Sequence, residues 1–363
     1  MKIFWIGPLI PFSEINNWEA SSPAAIKWQT YLIKNLIKTK ADVEWLYYRP
    51  ETYWPKGRLL PSQAKIQTKF SFKSKLIKYL NFPKIRNLSL KYSLQKILEE
   101  KYQLNKSQSL ILLSYNGPKW INDIFSDNKI GSKFKKIYVV ADNKVPDNAD
   151  GYVFLSYGYY KKFSTKKYKL HLDGAIYSND KNIKSKKKIK KEKIIFLYTG
   201  SFHKWGGAKM VLDAIKFIKF KNFEVWFSGP GNGKIFELAA KKDSRIKYLG
   251  LVTDKKLTKL YQKADIFLNP RPINMYGNQF NFPSKLFDYL AWNKPIISTW
   301  SKSFSPVYRK ILDITNDDPN KFASAMEKYL HKKNLNLVGN KNLISKKNWA
   351  NECKRLLNFI KNI

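Results

Sequence analysis

Short apolar, β-branched or aromatic runs alternate along the chain with longer segments in which apolar positions recur every three or four residues. In the first half the short runs are Lys2–Ile6, Val43–Tyr48, Leu110–Leu113, Ile137–Ala141 and Tyr152–Leu155. In the second half they are Ile194–Tyr198, Glu224–Phe227, Ile246–Leu249, Ile266–Leu268 and Pro295–Ser298. Runs of this length read as strands, and intervening segments such as Pro23–Lys38 have the period of amphipathic helices. The alternation predicts an α/β fold with parallel sheets flanked by helices, and it occurs twice. The lysine run from Lys181 to Lys191 has no core pattern and self-repels, so it reads as an exposed linker between two doubly wound halves. The predicted organisation is a first domain over 1–180, a basic linker over 181–193, a second domain over 194–340, and a carboxyl-terminal helical stretch over 341–363.

The length of 363 residues suits two domains, and 44% hydrophobic with 26% charged residues is the composition of a folded globular chain. The net charge of +41 makes an anionic partner the default expectation, discounted because Lys, Asn and Ile are abundant throughout. A nucleic-acid-binding protein is the rival reading, but no aromatics interleave the lysine run for base stacking, and no nucleic acid is expected. A single cysteine, Cys353, forms no intrachain disulfide, and three histidines leave little for a His/Cys metal site, so a reducing cytoplasm fits. The apolar runs have strand length, short of a bilayer span, and the hydrophobic start is broken by Gly7-Pro8, so it reads as a first strand.

Three turns in the second half sit where a strand should end. The run Thr199-Gly200-Ser201-Phe202-His203-Lys204-Trp205-Gly206-Gly207 links a strand to a predicted helix over Ala208–Phe220. Glycines there serve either an anion approaching backbone N–H groups or tight chain reversal. A second glycine-rich turn, Ser228-Gly229-Pro230-Gly231-Asn232-Gly233, falls on the same carboxyl edge, where open α/β sheets bind ligands. At the third, Asn269-Pro270-Arg271-Pro272, Arg271 is either a phosphate donor or half of a surface ion pair. In Phe282-Pro283-Ser284-Lys285-Leu286-Phe287-Asp288-Tyr289-Leu290-Ala291, Lys285 and Asp288 share a helix face. They are either a surface salt bridge or a cation for a diphosphate beside a carboxylate for a ribose. Neither the ordered dinucleotide fingerprint nor a Walker loop is present.

This order of strand, Gly200 loop, Gly229-Pro230-Gly231, Tyr248-Leu249-Gly250, Asp265, Pro270-Arg271-Pro272 and the Lys285–Ala291 segment with Lys294-Pro295 resembles the carboxyl-terminal domain of family 4 glycosyltransferases of the GT-B fold. The first half resembles that family in layout only. The resemblance implies two facing Rossmann-like domains and a retaining transfer from a nucleotide-sugar, UDP- or GDP-linked, with no cofactor or metal required. It implies a glycan or lipid-linked acceptor, and a role in cell-surface polysaccharide or glycolipid synthesis at the cytoplasmic membrane face. Asp288 takes the place of the family's ribose-binding carboxylate, and Arg271, Lys285 and Lys204 are the candidates for stabilising the leaving diphosphate. Gly7, Gly200, Ser201, Gly229, Gly231, Gly250, Leu251, Ser284, Leu286 and Asp288 are the donor-binding candidates. Phe280 stands where the family often has a sugar-directed Glu. A relative that epimerises or hydrolyses a nucleotide-sugar is the other alternative.

In the first half, Gly7-Pro8 is expected to face the cleft, with Asn17 and Trp18 in the following loop as acceptor contacts. From Lys56 to Lys96 there are eleven basic residues and no acidic one. Ile66, Phe70, Ile77 and Leu80 fall on one helical face there, with Lys65, Lys69, Lys75 and Lys78 at its border. The pattern predicts a helix lying on an anionic bilayer, and so a peripheral position on the inner membrane face.

Overall fold

The computed structural model describes residues 1–10, 22–62, 73–142, 145–177, 193–331 and 345–363. The chain divides into two units, Met1–Gly174 with Trp349–Ile363, and Ala175–Asn348. The first is built on seven parallel strands: β1 (Lys2–Pro8), β2 (Asp42–Tyr48), β3 (Lys73–Leu76), β4 (Leu110–Tyr115), β5 (Lys135–Val140), β6 (Gly151–Phe154) and β7 (Lys169–His171). They lie in the order β3-β2-β1-β4-β5-β6-β7. Helices α1 (Pro23–Lys38), α2 (Arg86–Leu104), α3 (Lys119–Phe125), α4 (Asn128–Gly131) and α5 (Tyr157–Lys162) connect them. Ile3, Phe4, Trp5 and Ile6 are all buried, as a central parallel strand covered on both faces requires. Helix α1 starts where Ser22 accepts from the Ala25 N–H and Pro23 occupies the first turn.

The second unit repeats the winding with β8 (Ile194–Thr199), β9 (Phe223–Ser228), β10 (Ile246–Gly250), β11 (Ile266–Asn269), β12 (Ile296–Thr299) and β13 (Asp313–Thr315). Their order is β10-β9-β8-β11-β12-β13, again all parallel. Helices α6 (Ala208–Ile215), α7 (Lys234–Lys242), α8 (Asp254–Lys263), α9 (Tyr276–Phe280), α10 (Lys285–Leu290) and α11 (Pro319–Leu330) complete it. The α/β class and the ten strands expected from the sequence are present. In each unit the winding reverses beside the first strand, between β1 and β4 and between β8 and β11, which opens a crevice at the carboxyl ends of the strands. The terminal helix Trp349–Lys361 packs on α1: Trp349 meets Trp28 edge-on at 6.0 Å, and the Cys353 thiol approaches the Leu32 carbonyl at 3.6 Å.

The basic segment departs from expectation. Lys73–Leu76 is edge strand β3, and beyond it Ile77, Tyr79 and Asn81 are buried while Lys78, Leu80 and Phe82 are exposed. That alternation has the period of extended chain, so Lys75, Ile77 and Lys78 do not lie on a helix. Lys75 pairs with Glu100 at 3.1 Å, and Ile77 belongs to the core. Lys65, Ile66, Lys69 and Phe70 lie outside the described residues, as do Asn17, Trp18 and the linker up to 192. Among the described residues no helix is long and apolar enough to cross a membrane.

Candidate functional site

The carboxyl ends of β8, β9 and β11 bring three turns of the second unit together. Gly229, at φ +155°, lies against Gly200, and a Cβ there would overlap the Gly200 carbonyl oxygen. The two turns therefore touch backbone to backbone, a contact only glycine permits. Gly200 N–H bonds the Ser228 carbonyl at 3.0 Å, Phe202 N–H the Pro230 carbonyl at 2.9 Å, and Gly229 N–H the Gly250 carbonyl at 3.0 Å. Gly207, at φ +76°, is needed because the Pro270 carbonyl occupies the space of its missing side chain. That glycine pins the first turn to the Arg271 turn.

Tyr198, the last aromatic of β8, is the hinge of the arrangement. Its hydroxyl donates to the carbonyls of Ser201 at 2.7 Å or Gly206 at 3.1 Å, which shapes the first loop. The Lys285 ammonium sits over its ring, 4.3 Å from the centroid and 3.5 Å from where a Gly200 Cβ would stand. Burial, and then the charge of Arg271, hold the Lys285 pKa well below the ordinary lysine value. Arg271 is pulled down to about 10 by burial, and burial pushes the Tyr198 phenol up. Arg271 is fixed by donating to the Asn281 carbonyl at 3.0 Å and to the Asn278 side-chain oxygen. Neither cation has a carboxylate partner among the described residues. Two desolvated positive charges that repel one another are costly, and an anion brought between them relieves both costs.

Helix α10 holds Lys285 in place through Tyr289. That hydroxyl accepts from the Thr199 N–H at 2.9 Å, lies 2.9 Å from the Thr199 hydroxyl, and its ring stacks on Phe267 at 4.6 Å. Asp288 is on the same helix, near enough to the Tyr261 and Tyr289 phenols to raise their pKa values alongside burial. Ser284 precedes the helix. Leu286 is fully buried and its N–H bonds the Pro283 carbonyl at 2.9 Å, so it supports the helix and offers no polar group to a ligand. Ser201 Oγ accepts from the His203 N–H at 3.2 Å, Gly231 packs against Phe202, and Leu251 is exposed beyond Gly250. Lys204 stands outside the buried cluster, exposed with its ammonium over the Trp205 ring. Gly7 belongs to the first unit, where it packs against the buried Gln29 side chain at the end of β1. Phe280 lies ring to ring with Tyr276 at 5.0 Å.

Sequence reasoning missed Tyr198 and Asn278. Asn278 is buried, and its side-chain N–H groups donate to the Trp205 carbonyl at 3.2 Å and the Pro272 carbonyl at 2.9 Å while its oxygen receives Arg271. A polar residue amid Met275-Tyr276-Gly277 and Gln279-Phe280 was the one available signal.

Residues 193–332 match the family model of glycosyl transferases group 1. That stretch of the second unit is similar to this family. The whole chain resembles solved structures in fold. A glycosyltransferase from Rickettsia africae aligns over 99% of this chain and 98% of its own, at 12% identity and a TM-score of 0.71. The lipopolysaccharide outer core galactosyltransferase WaaB in its apo form aligns over 100% and 99%, at 14% identity and 0.67. HepE from Anabaena, solved with UDP, aligns over 100% of both chains at 10% identity and 0.67. No curated protein matches in sequence. Both units together therefore have the GT-B fold.

Proposed function

We propose that this chain is a glycosyltransferase that takes a sugar from a uridine diphosphate donor and passes it, with retention at the anomeric carbon, to a glycan or lipid-linked acceptor. The observation that carries the reading is the pair Arg271 and Lys285: two half-buried, desolvated cations with no carboxylate partner among the described residues, at the edge where the Gly200 and Gly229 turns meet. The bond to the anomeric carbon breaks as a nucleoside diphosphate leaves, and negative charge grows on its terminal phosphate. Cations already desolvated and held by Tyr198, Asn278 and α10 meet that charge without rearranging, so they stabilise the transition state more than the ground state. Side chains supply the countercharge in this scheme, so no metal is required. On this reading Asp288, on α10, accepts hydrogen bonds from the ribose hydroxyls. The choice of uridine is supported by structures of this fold solved with UDP, from Anabaena and S. aureus, although a starch synthase of the same fold holds ADP. The nucleoside diphosphate is their common chemistry.

The test is a panel of nucleotide-sugars scored first by thermal stabilisation and then by release of nucleoside diphosphate, with and without acceptor sugars and after EDTA. UDP-sugars stabilise the protein, release requires an acceptor and survives EDTA, and the product keeps the donor's anomeric configuration by NMR. Release without acceptor would instead assign hydrolysis.

A further inference from the structure

Of the eighteen large hydrophobic side chains exposed among the described residues, nine lie between residues 53 and 92 of the first unit. They gather on one surface. The loop after β2 is tied to the segment before α2, with Trp54 N–H donating to the Asn81 carbonyl at 3.0 Å and Asn81 N–H to the Leu59 carbonyl at 2.8 Å. Through these bonds the rings of Trp54 and Phe82 approach to 6.0 Å, and the Arg86 guanidinium covers Tyr53 at 4.9 Å. Ile85, Leu88 and Tyr92 extend the surface along one face of α2, with Leu88 68% and Tyr92 71% exposed.

The loop is built, not loose. Asn81 is fully buried and donates to the carbonyls of Thr52 at 2.7 Å and Arg58 at 2.9 Å. Glu51, also buried, pairs with Arg49 at 3.1 Å and accepts from the Arg58 N–H at 3.2 Å, and Arg86 donates to the Glu51 carbonyl at 2.8 Å. A buried ionic scaffold thus holds Trp54, Leu60 and Phe82 out in water. An exposed apolar surface on a fixed frame marks an interaction site. Its charge is of one sign, because the sequence from 52 to 98 has no acidic residue, and Lys56, Lys78 and Lys84 are exposed within it.

We infer that this surface docks on an anionic lipid bilayer. Trp and Tyr side chains favour the headgroup level, leucines and Phe82 enter the acyl boundary, and the lysines reach lipid phosphates. A second copy fits poorly, since a two-fold contact would set positive rim on positive rim. Nucleic acid fits poorly too, because half the surface is aliphatic and offers no stacking. The surface is a rigid loop with the start of α2, not the helix expected from the spacing of Ile66, Phe70, Ile77 and Leu80.

The test uses the full chain and sedimentation with vesicles of phosphatidylglycerol and phosphatidylcholine, beside pure phosphatidylcholine vesicles. The protein pellets with the anionic vesicles only. The triple variant Lys56→Gln/Lys78→Gln/Lys84→Gln weakens binding by about two orders of magnitude, roughly fivefold for each lysine. The apolar variant Leu60→Ser/Leu88→Ser/Tyr92→Ser weakens it at least tenfold with unchanged charge. Lys219→Gln/Lys241→Gln/Lys242→Gln, on the second unit, removes the same charge and leaves most binding intact. Circular dichroism and melting confirm folding, and if the apolar variant fails them the lysine variants decide alone. Equal binding to neutral vesicles, or equal loss in the two lysine variants, overturns the proposal. Dimerisation that depends on the patch, without vesicle binding, overturns it in favour of a second copy.

Discussion

Lys285 is held against its own charge: burial and Arg271 both favour the neutral amine. The price is native-state stability near neutral pH, which is the cost expected of a residue kept for a ligand under the proposed function. Lys285→Met should therefore raise the melting temperature of the free protein while removing most of the stabilisation that UDP confers. A lowered melting temperature would show that the ammonium is structural. Arg271→Met should do the opposite to stability, because it also breaks the bonds to Asn278 and Asn281. The pH dependence follows from the sign of the Lys285 shift. Between its lowered native pKa and the ordinary lysine value the unfolded chain binds more protons, so this residue's contribution makes stability rise with pH across that window. A bound diphosphate favours the ammonium, so binding takes up a proton in the same window and affinity falls as pH rises through it. Calorimetry of UDP binding in buffers of different ionisation heat should show that uptake in the wild type and lose it in Lys285→Met. Arg271, Lys285 and Asp288 could be named as candidates from the sequence because a basic or acidic residue at a strand end or on one helix face announces its chemistry locally. Tyr198 and Asn278 were not, because their roles arise only when β8, α9 and α10 are brought together.

At the scale of elements, the site depends on turns that fit only without side chains. Gly229→Ala places a methyl group on the Gly200 carbonyl at a backbone angle that L residues rarely adopt. It should destabilise the protein by about 1–3 kcal/mol, read from urea unfolding, and weaken UDP binding by displacing the Gly200 loop. Wild-type affinity in that variant would separate the loop from the donor site. Tyr289→Phe tests the other support: it leaves the buried Thr199 N–H without its partner, at a cost of about 1–3 kcal/mol, and lets α10 shift against β8. Here UDP affinity should fall while the ring stacking on Phe267 survives. The central strands were readable from sequence because burial on both faces leaves nearly continuous apolar runs such as Ile3–Ile6. The edge strands β3, β7 and β13 were not. Each is three or four residues long with no fully apolar run, as in Lys73-Ser74-Lys75-Leu76, so only their pairing with a formed neighbour defines them. The same cause makes residues 73–80, the described part of the predicted helix, extended chain.

At the scale of the whole molecule, the chain leaves the first unit after Gly174, builds the second, and returns at Trp349 to complete the first. The last helix is fastened by the Trp28–Trp349 ring contact and by Arg355, which donates to the His171 carbonyl at 2.7 Å. Both ends of the sequence therefore share one cooperative unit, and the one cysteine reports on it. Cys353 is fully buried against α1, and burial, with Glu352 adding to it, pushes its thiol up to about 12. At pH 8 the folded thiol is almost entirely protonated, whereas in the unfolded chain it titrates near its ordinary value of about 8.5. Ellman's reagent should consequently react through opening of the terminal helix, orders of magnitude more slowly than in denaturant. Trp349→Ala removes a buried aromatic from that interface at a cost of about 3–5 kcal/mol and should accelerate the reaction accordingly. Gly229→Ala weakens only the second unit and should leave the rate unchanged. Equal acceleration by both variants would show that the two units open together, and immediate reaction in the wild type would show that the helix does not hold Cys353 against α1 in solution.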